Sequence, residues 1–264
     1  MGYKLPHERR MTAECLTIIL ADASGPMGYL YYEAINGILD EAMTAGVVVQ
    51  ITQSIRPKSA ARGNLLSTLR ANGAQGAIII GGHFDTAATK HFLDQDYPFI
   101  CVGKRELPPA RISWVATDYM AGARQAVAHL ISLGHRHIAL LAPQHQEQAW
   151  FKERVLGYRL ALDEAGLAPG PTLNWRDDAD RPLSWPIDLV NAGVTAVLAI
   201  EHVLAARFLT ACAAVKVRVP EDLALVGFDD VAGSANLNPP LTTVRQPMHE
   251  LGSTAARTLL SWLR

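Results

Sequence analysis

Short apolar runs rich in Val and Ile alternate along this 264-residue chain with longer segments of helical period, and that alternation limits the folds open to it. The runs with strand character are Leu16–Ala21, Val47–Thr52, Ala77–Ile80, Phe99–Val102, Trp114–Ala116, His137–Leu141, Ala196–Ile200, Leu223–Val226 and Thr243–Arg245. Most are apolar on both faces, as strands are when helices cover a parallel sheet on each side. Amphipathic segments lie between them, clearest at Tyr32–Thr44, Ala60–Ala71, Met120–Leu133, Phe151–Ala165, Leu204–Val215 and Glu250–Leu263. Alternation of this kind builds βαβ units and a doubly wound α/β sheet. Gly46, Gly73, Gly134 and Gly166 each stand just past a predicted helix, where a left-handed terminating residue belongs.

Composition narrows the function classes. Apolar residues make up 49% and charged residues 19%, which suits a packed globular domain and excludes a disordered one. The formal charge of −1 lacks the basic excess of a self-sufficient DNA-binding chain. No apolar run approaches the roughly 20 residues that span a bilayer. The polar opening MGYKLPHERRM lacks the apolar stretch of a secretory signal. Cys15, Cys101 and Cys212 are far apart and odd in number, and are expected to be packed free thiols of a reducing cytoplasm. His135 and His137 have no evident third ligand, so no metal site is expected. Neither a GxGxxG after a strand nor a GxSxG or HExxH occurs, and no catalytic residue or cofactor is expected.

Several segments carry candidate binding groups. In VPEDLALVGFDDVAGSANLNPPLTTVRQP, residues 219–247, a buried strand is expected to end in an exposed carboxylate pair, Asp229 and Asp230. Carboxylates at the end of a parallel strand point into the crevice where open α/β sheets bind ligands, although an Asp there also serves as a loop or helix cap. Asp118, in VATDYMAG, follows a strand and begins a helix, the position of an N-cap. Tyr29, Tyr31 and Tyr32, in DASGPMGYLYY, are placed either to stack on a sugar ring or nucleobase or to pack on the core. Arg154, in KERVLGYRLALDEAGL, taken alone is a solvated helix charge.

Taken together these segments resemble the LacI/GalR family of transcription regulators. The resemblance is carried by PEDLALVGFDD, by PPLTTVRQP, by the AxxHLxxLGHRxIALL pattern from Ala126 to Leu141, and by ERxxGYxxALxEAGL from Glu153 to Leu167. The opening GYKLPHERR is similar to the family's passage from a DNA-binding hinge into the first strand. It implies two doubly wound Rossmann-like lobes of the type I periplasmic-binding-protein kind. Residues 1–135 with 247–264 would form one and residues 136–246 the other, with the seam at Gly134–Arg136. Ligand would lie between the lobes, with Asp229 accepting hydrogen bonds from its hydroxyl or amine groups. Arg154 would present forked donors, and Gln246 and Asp118 would lie beside them.

Two departures from the family pattern stand out. Glu201-His202 replaces the usual Asn-Asp, so His202 stands where a ligand-contacting Asp is common, and the Asp22–Tyr32 loop is longer. The function implied is that of the effector-sensing, homodimerising core of a cytoplasmic repressor. Its effector would be a sugar or related polar metabolite, shifting the DNA competence of the dimer. Operator DNA would be bound through an N-terminal helix-turn-helix domain absent from this chain, and no membrane partner is expected. A periplasmic-type sugar-binding protein is the alternative. Asp229→Ala and Arg154→Ala are expected to remove the ligand response while leaving the fold intact.

Overall fold

The computed structural model describes residues 14–21, 28–53, 65–81, 84–143, 148–175 and 184–264. The elements run β1 (Cys15–Leu20), α1 (Gly28–Ala45), β2 (Val48–Gln53), α2 (Leu65–Ala71), β3 (Ala74–Ile80), α3 (Thr86–Asp94), β4 (Phe99–Val102) and β5 (Trp114–Val115). They continue through α4 (Tyr119–Ser132), β6 (Ile138–Pro143), α5 (Ala149–Glu164), β7 (Thr172–Trp175), α6 (Trp185–Asn191), β8 (Ala196–Ala199) and α7 (His202–Ala214). β9 (Ala224–Asp229), β10 (Thr242–Arg245) and α8 (Met248–Leu263) close the chain. The described residues divide into two compact units, those of 14–21, 31–115 and 249–264 in the first and those of 28–30 and 116–248 in the second.

Each unit holds one five-stranded parallel sheet, in the order β2-β1-β3-β4-β5 in the first and β10-β9-β8-β6-β7 in the second. Counted from the first strand of each sheet, these are the same winding, although no internal repeat is visible in the sequence. In such a sheet the connections leave in opposite directions on either side of the first strand, and ligands bind beyond the carboxyl ends at that point.

The strands are apolar on both faces because both are covered. In the second unit Ile138, Leu140, Leu198, Val226 and Phe228 pack with α4 and α5, while Ala139, Leu141, Val197, Leu223 and Leu225 pack with α6 and α7. That split is the two-residue period of a strand. In the first unit Ile19, Ala77, Ile79, Phe99 and Cys101 meet Leu66, Leu69 and Phe92. α8 approaches α1 so closely that a Cβ on Gly37 would lie 2.0 Å from the His249 carbonyl oxygen.

The seam differs from the expected one. It falls at Val115–Ala116 and not at Gly134–Arg136, because α4 lays Tyr119, Ala123, Ala126, Val127 and Leu130 against the second sheet. The return crossing falls at Met248–His249. Gly134 (φ 96°) and Gly166 (φ 66°) do adopt the left-handed backbone their positions called for. β7, α3 and α6 are additional to the expected elements, and of the helix expected at Ala60–Ala71 the part before Leu65 lies outside the described residues.

Gly157 holds α5 against α4. A Cβ there would lie 2.2 Å from the Met120 carbonyl oxygen and 3.1 Å from the Arg124 nitrogen, both backbone atoms. Gly157→Ala should therefore lower the unfolding free energy by about 1–3 kcal/mol, despite the roughly 1 kcal/mol that alanine contributes to a free helix. Denaturant unfolding of the variant checks this, and an unchanged midpoint would contradict it.

Candidate functional site

The carboxyl ends of β8, β9 and β10 bring together residues far apart in sequence. β9 ends in Asp229 and Asp230, whose φ angles of 96° and 46° lie in the left-handed region. Non-glycine residues held there cost about 1–3 kcal/mol each, and such strain concentrates at functional sites. The turn separates the two carboxylates. Asp229 is buried at 1% exposure, contrary to the expectation of an exposed pair. Asp230 faces outward and pairs with Arg245 at 2.6 Å.

Arg154, from the first half of α5, reaches Asp229 with its Nη2 at 2.8 Å. Its Nη1 donates to the Ile200 carbonyl just beyond β8. The guanidinium lies 3.8 Å from the Phe228 ring centroid and 5.0 Å from those of Tyr119 and Trp150. Three aromatic faces around a cation partly replace the water that burial removes. Arg154 is thus a buried, aromatic-boxed arginine, 2% exposed, and not a solvated helix charge.

Gln246 completes the group from the end of β10. Its Nε2 donates to Asp229 Oδ1 at 2.8 Å, and its Oε1 accepts from Thr117 Oγ1 at 2.9 Å. The other oxygen, Asp229 Oδ2, accepts from the His202 backbone N–H at 3.3 Å. That N–H opens α7, whose N-terminal dipole favours a carboxylate. Glu201 precedes α7 without a side-chain capping bond, so Asp229 supplies the anion that a cap would otherwise provide.

The inventory leaves capacity for a guest. Arg154 Nε is buried and has no hydrogen-bond partner among the described residues. A carboxylate offers about four acceptor positions, and Asp229 accepts at two on Oδ1 and one on Oδ2. One desolvated donor and one acceptor therefore remain on the same ion pair. Because Arg154 and Asp229 are each other's buried partner, truncating either to Ala would also strand a charge, and the expectation of an undisturbed fold is withdrawn.

His202 sits at the edge of this group, half-buried, with Nδ1 at 3.2 Å from Ser234 Oγ. Burial holds its pKa below the ordinary value, against the opposing pull of Asp229 and Asp230. His135, 3.1 Å from Thr195 Oγ1, is lowered by the same cause. The unfolded chain protonates these groups first, near pH ~6.5. Their contribution is present above that pH and is lost as pH falls toward the depressed folded values. His202→Gln should flatten part of the fall in Tm between about pH 7 and pH 5, and an identical Tm–pH curve would contradict this.

The other expected residues lie elsewhere. Asp118 is an exposed N-cap of α4, accepting from the Ala121 N–H at 2.9 Å, while its neighbour Thr117 joins the Gln246 network. Tyr31 is half-buried in the first unit, close enough to Arg105 to influence it, and the Tyr29 side chain lies outside the described residues. Trp150, Tyr119, Phe228, Thr117 and Ser234 were not anticipated. The aromatic ones carry no signal separating them from core, but Phe228 adjoins Asp229 and Trp150 lies one helical turn before Arg154. Among the described residues no group of three or more His, Cys, Asp or Glu is placed to hold a metal, and no helix is long and apolar enough to cross a membrane.

Two parallel, doubly wound units with a polar pair at the carboxyl ends of one sheet define the class: a type I periplasmic-binding-protein-like fold. The chain belongs to the family described as periplasmic binding proteins and sugar binding domain of LacI family, which matches residues 13–180; a periplasmic binding protein-like domain matches residues 127–264. It is 32% identical over 199 residues to the HTH-type transcriptional regulator CelR of Thermobifida fusca, covering 70% of this chain and 56% of that protein. It is 28% identical over 183 residues to the HTH-type transcriptional repressor PurR of Photobacterium profundum, covering 64% of this chain and 54% of the repressor. The chain thus spans about half the length of these curated relatives. A solved CelR–cellobiose complex superposes with a TM-score of 0.77 at 25% identity, over 96% of this chain and 78% of the other.

Proposed function

We propose that this chain is the effector-sensing core of a LacI-type transcriptional regulator, and that its effector is a sugar seated on Arg154 and Asp229. The observation that carries the proposal is the residual capacity of that pair. An unpartnered buried N–H beside a carboxylate with an acceptor position to spare complements two neighbouring groups of a polyol. One hydroxyl donates to Asp229, and a hydroxyl or ring oxygen accepts from Arg154. Trp150 adds a half-buried aromatic face suited to a pyranose. Gln246 positions the carboxylate, and His202 supplies a neutral imidazole at the rim in place of the family's Asp.

Homodimerisation, operator binding through a domain outside this chain and a cytoplasmic location all belong to the same proposal. The regulators among its relatives support it over a periplasmic-type sugar carrier and over an enzyme. Thermal unfolding with glucose, ribose and cellobiose tests it. A sugar at about 100 times its Kd stabilises by about 2.7 kcal/mol, roughly 5 °C or more in a chain of this size. Trp150→Leu should abolish most of that shift. If none of the three raises Tm, or if Trp150→Leu responds as the wild type does, the seat is misassigned.

A further inference from the structure

The first unit carries an open pocket of its own, whose residues the sugar reading does not use. The segment from β4 to β5 borders an open pocket of about 380 Å³ lined by Arg105, Glu106, Leu107, Arg111, Ile112 and Trp114. That volume falls in the range of small-metabolite sites. The lining holds two cations, Arg105 and Arg111, and one carboxylate, Glu106, which Lys104 of the same segment faces at 3.7 Å.

Arg105 is the half-buried member. It donates to the Gly81 carbonyl beyond β3 and contacts the Cys101 thiol, and it has no carboxylate partner among the described residues. These contacts engage a minority of its five N–H donors. Burial lowers its pKa, and an anionic guest would relieve that penalty. Trp114 is 42% exposed, and the Lys104 ammonium lies 5.9 Å from its ring centroid. An exposed indole beside two guanidinium groups offers stacking and anion binding together.

We propose that this pocket is a second small-molecule site, taking an anionic metabolite with a flat ring: its phosphate or carboxylate on Arg105 and Arg111, its ring against Trp114. Calorimetric titration with AMP and benzoate, beside adenosine, benzamide and inorganic phosphate, separates the sources of that chemistry. At least one anionic ring compound should bind ten-fold or more tightly than its neutral counterpart and than phosphate. Arg105→Gln should weaken it at least ten-fold. Trp114→Ala and Arg111→Gln, at exposed positions where folding is undisturbed, should do so as well, while Trp150→Leu leaves it unchanged. The site is refuted if no anionic compound outbinds its neutral counterpart, or if binding survives Trp114→Ala and Arg111→Gln. It is equally refuted if Trp150→Leu removes the binding, which would assign that ligand to the Arg154 seat.

Discussion

Arg154→Met is expected to lower the unfolding free energy by about 3–5 kcal/mol, because it leaves Asp229 buried without its cation. The thioether fills the aromatic box of Phe228, Tyr119 and Trp150 tolerably well, so most of the loss is electrostatic. A double variant, Arg154→Met with Asp229→Asn, removes both charges and should recover more than half of it. The coupling between the two sites, measured by denaturant unfolding of both single variants and the double, should exceed about 1 kcal/mol. Additive losses would mean that the charges are not partners. A buried ion pair is not in itself a stabilising device, since well-packed apolar residues often do as well or better. Its presence at the carboxyl edge of a sheet, on strained backbone, points instead to binding.

The second large effect falls on ligand. Asp229→Asn keeps the shape of the side chain but changes one acceptor oxygen into a donor, facing the donors Arg154, Gln246 and the His202 N–H. Removing a charge-assisted hydrogen bond of this kind costs about 1.5–3 kcal/mol, so sugar affinity should fall by up to about 100-fold. Gln246→Leu should have a smaller effect, because it leaves the ion pair whole and removes only the side-chain amide's bonds to Asp229 and Thr117. If the ranking were reversed, Gln246 and not Asp229 would be the direct contact. Both variants are compared well below their own Tm, since Asp229→Asn also strands a buried guanidinium.

Much of the fold was legible because its signal is local. Strands such as Ile138–Pro143 are apolar on both faces, and amphipathic helices lie between them. β7 escaped because Thr172–Trp175 alternates half-buried and exposed positions at a sheet edge, and α6 because seven residues give no helical period. The seam was misplaced because an apolar stripe on α4 says that the helix packs, and not on which sheet.

The site was legible in part. GFDD marks the strand end, but which Asp turns inward depends on left-handed backbone at both positions, which no residue type there announces. The Arg154–Asp229 pair joins positions 75 residues apart, so neither local pattern shows that each is the other's partner. Asp118 was the converse: its local capping signal was sufficient, and the structure gives it that role.

The central claim, that the Arg154–Asp229 pair is a sugar seat, is tested most directly by calorimetric titration of the wild-type chain and of Asp229→Asn with cellobiose, glucose and ribose. Saturable one-to-one binding of at least one sugar to the wild type, with an affinity about 10- to 100-fold lower in the variant, is the predicted result. Equal affinity in both proteins, or no binding of any of the three to the wild type, would contradict it.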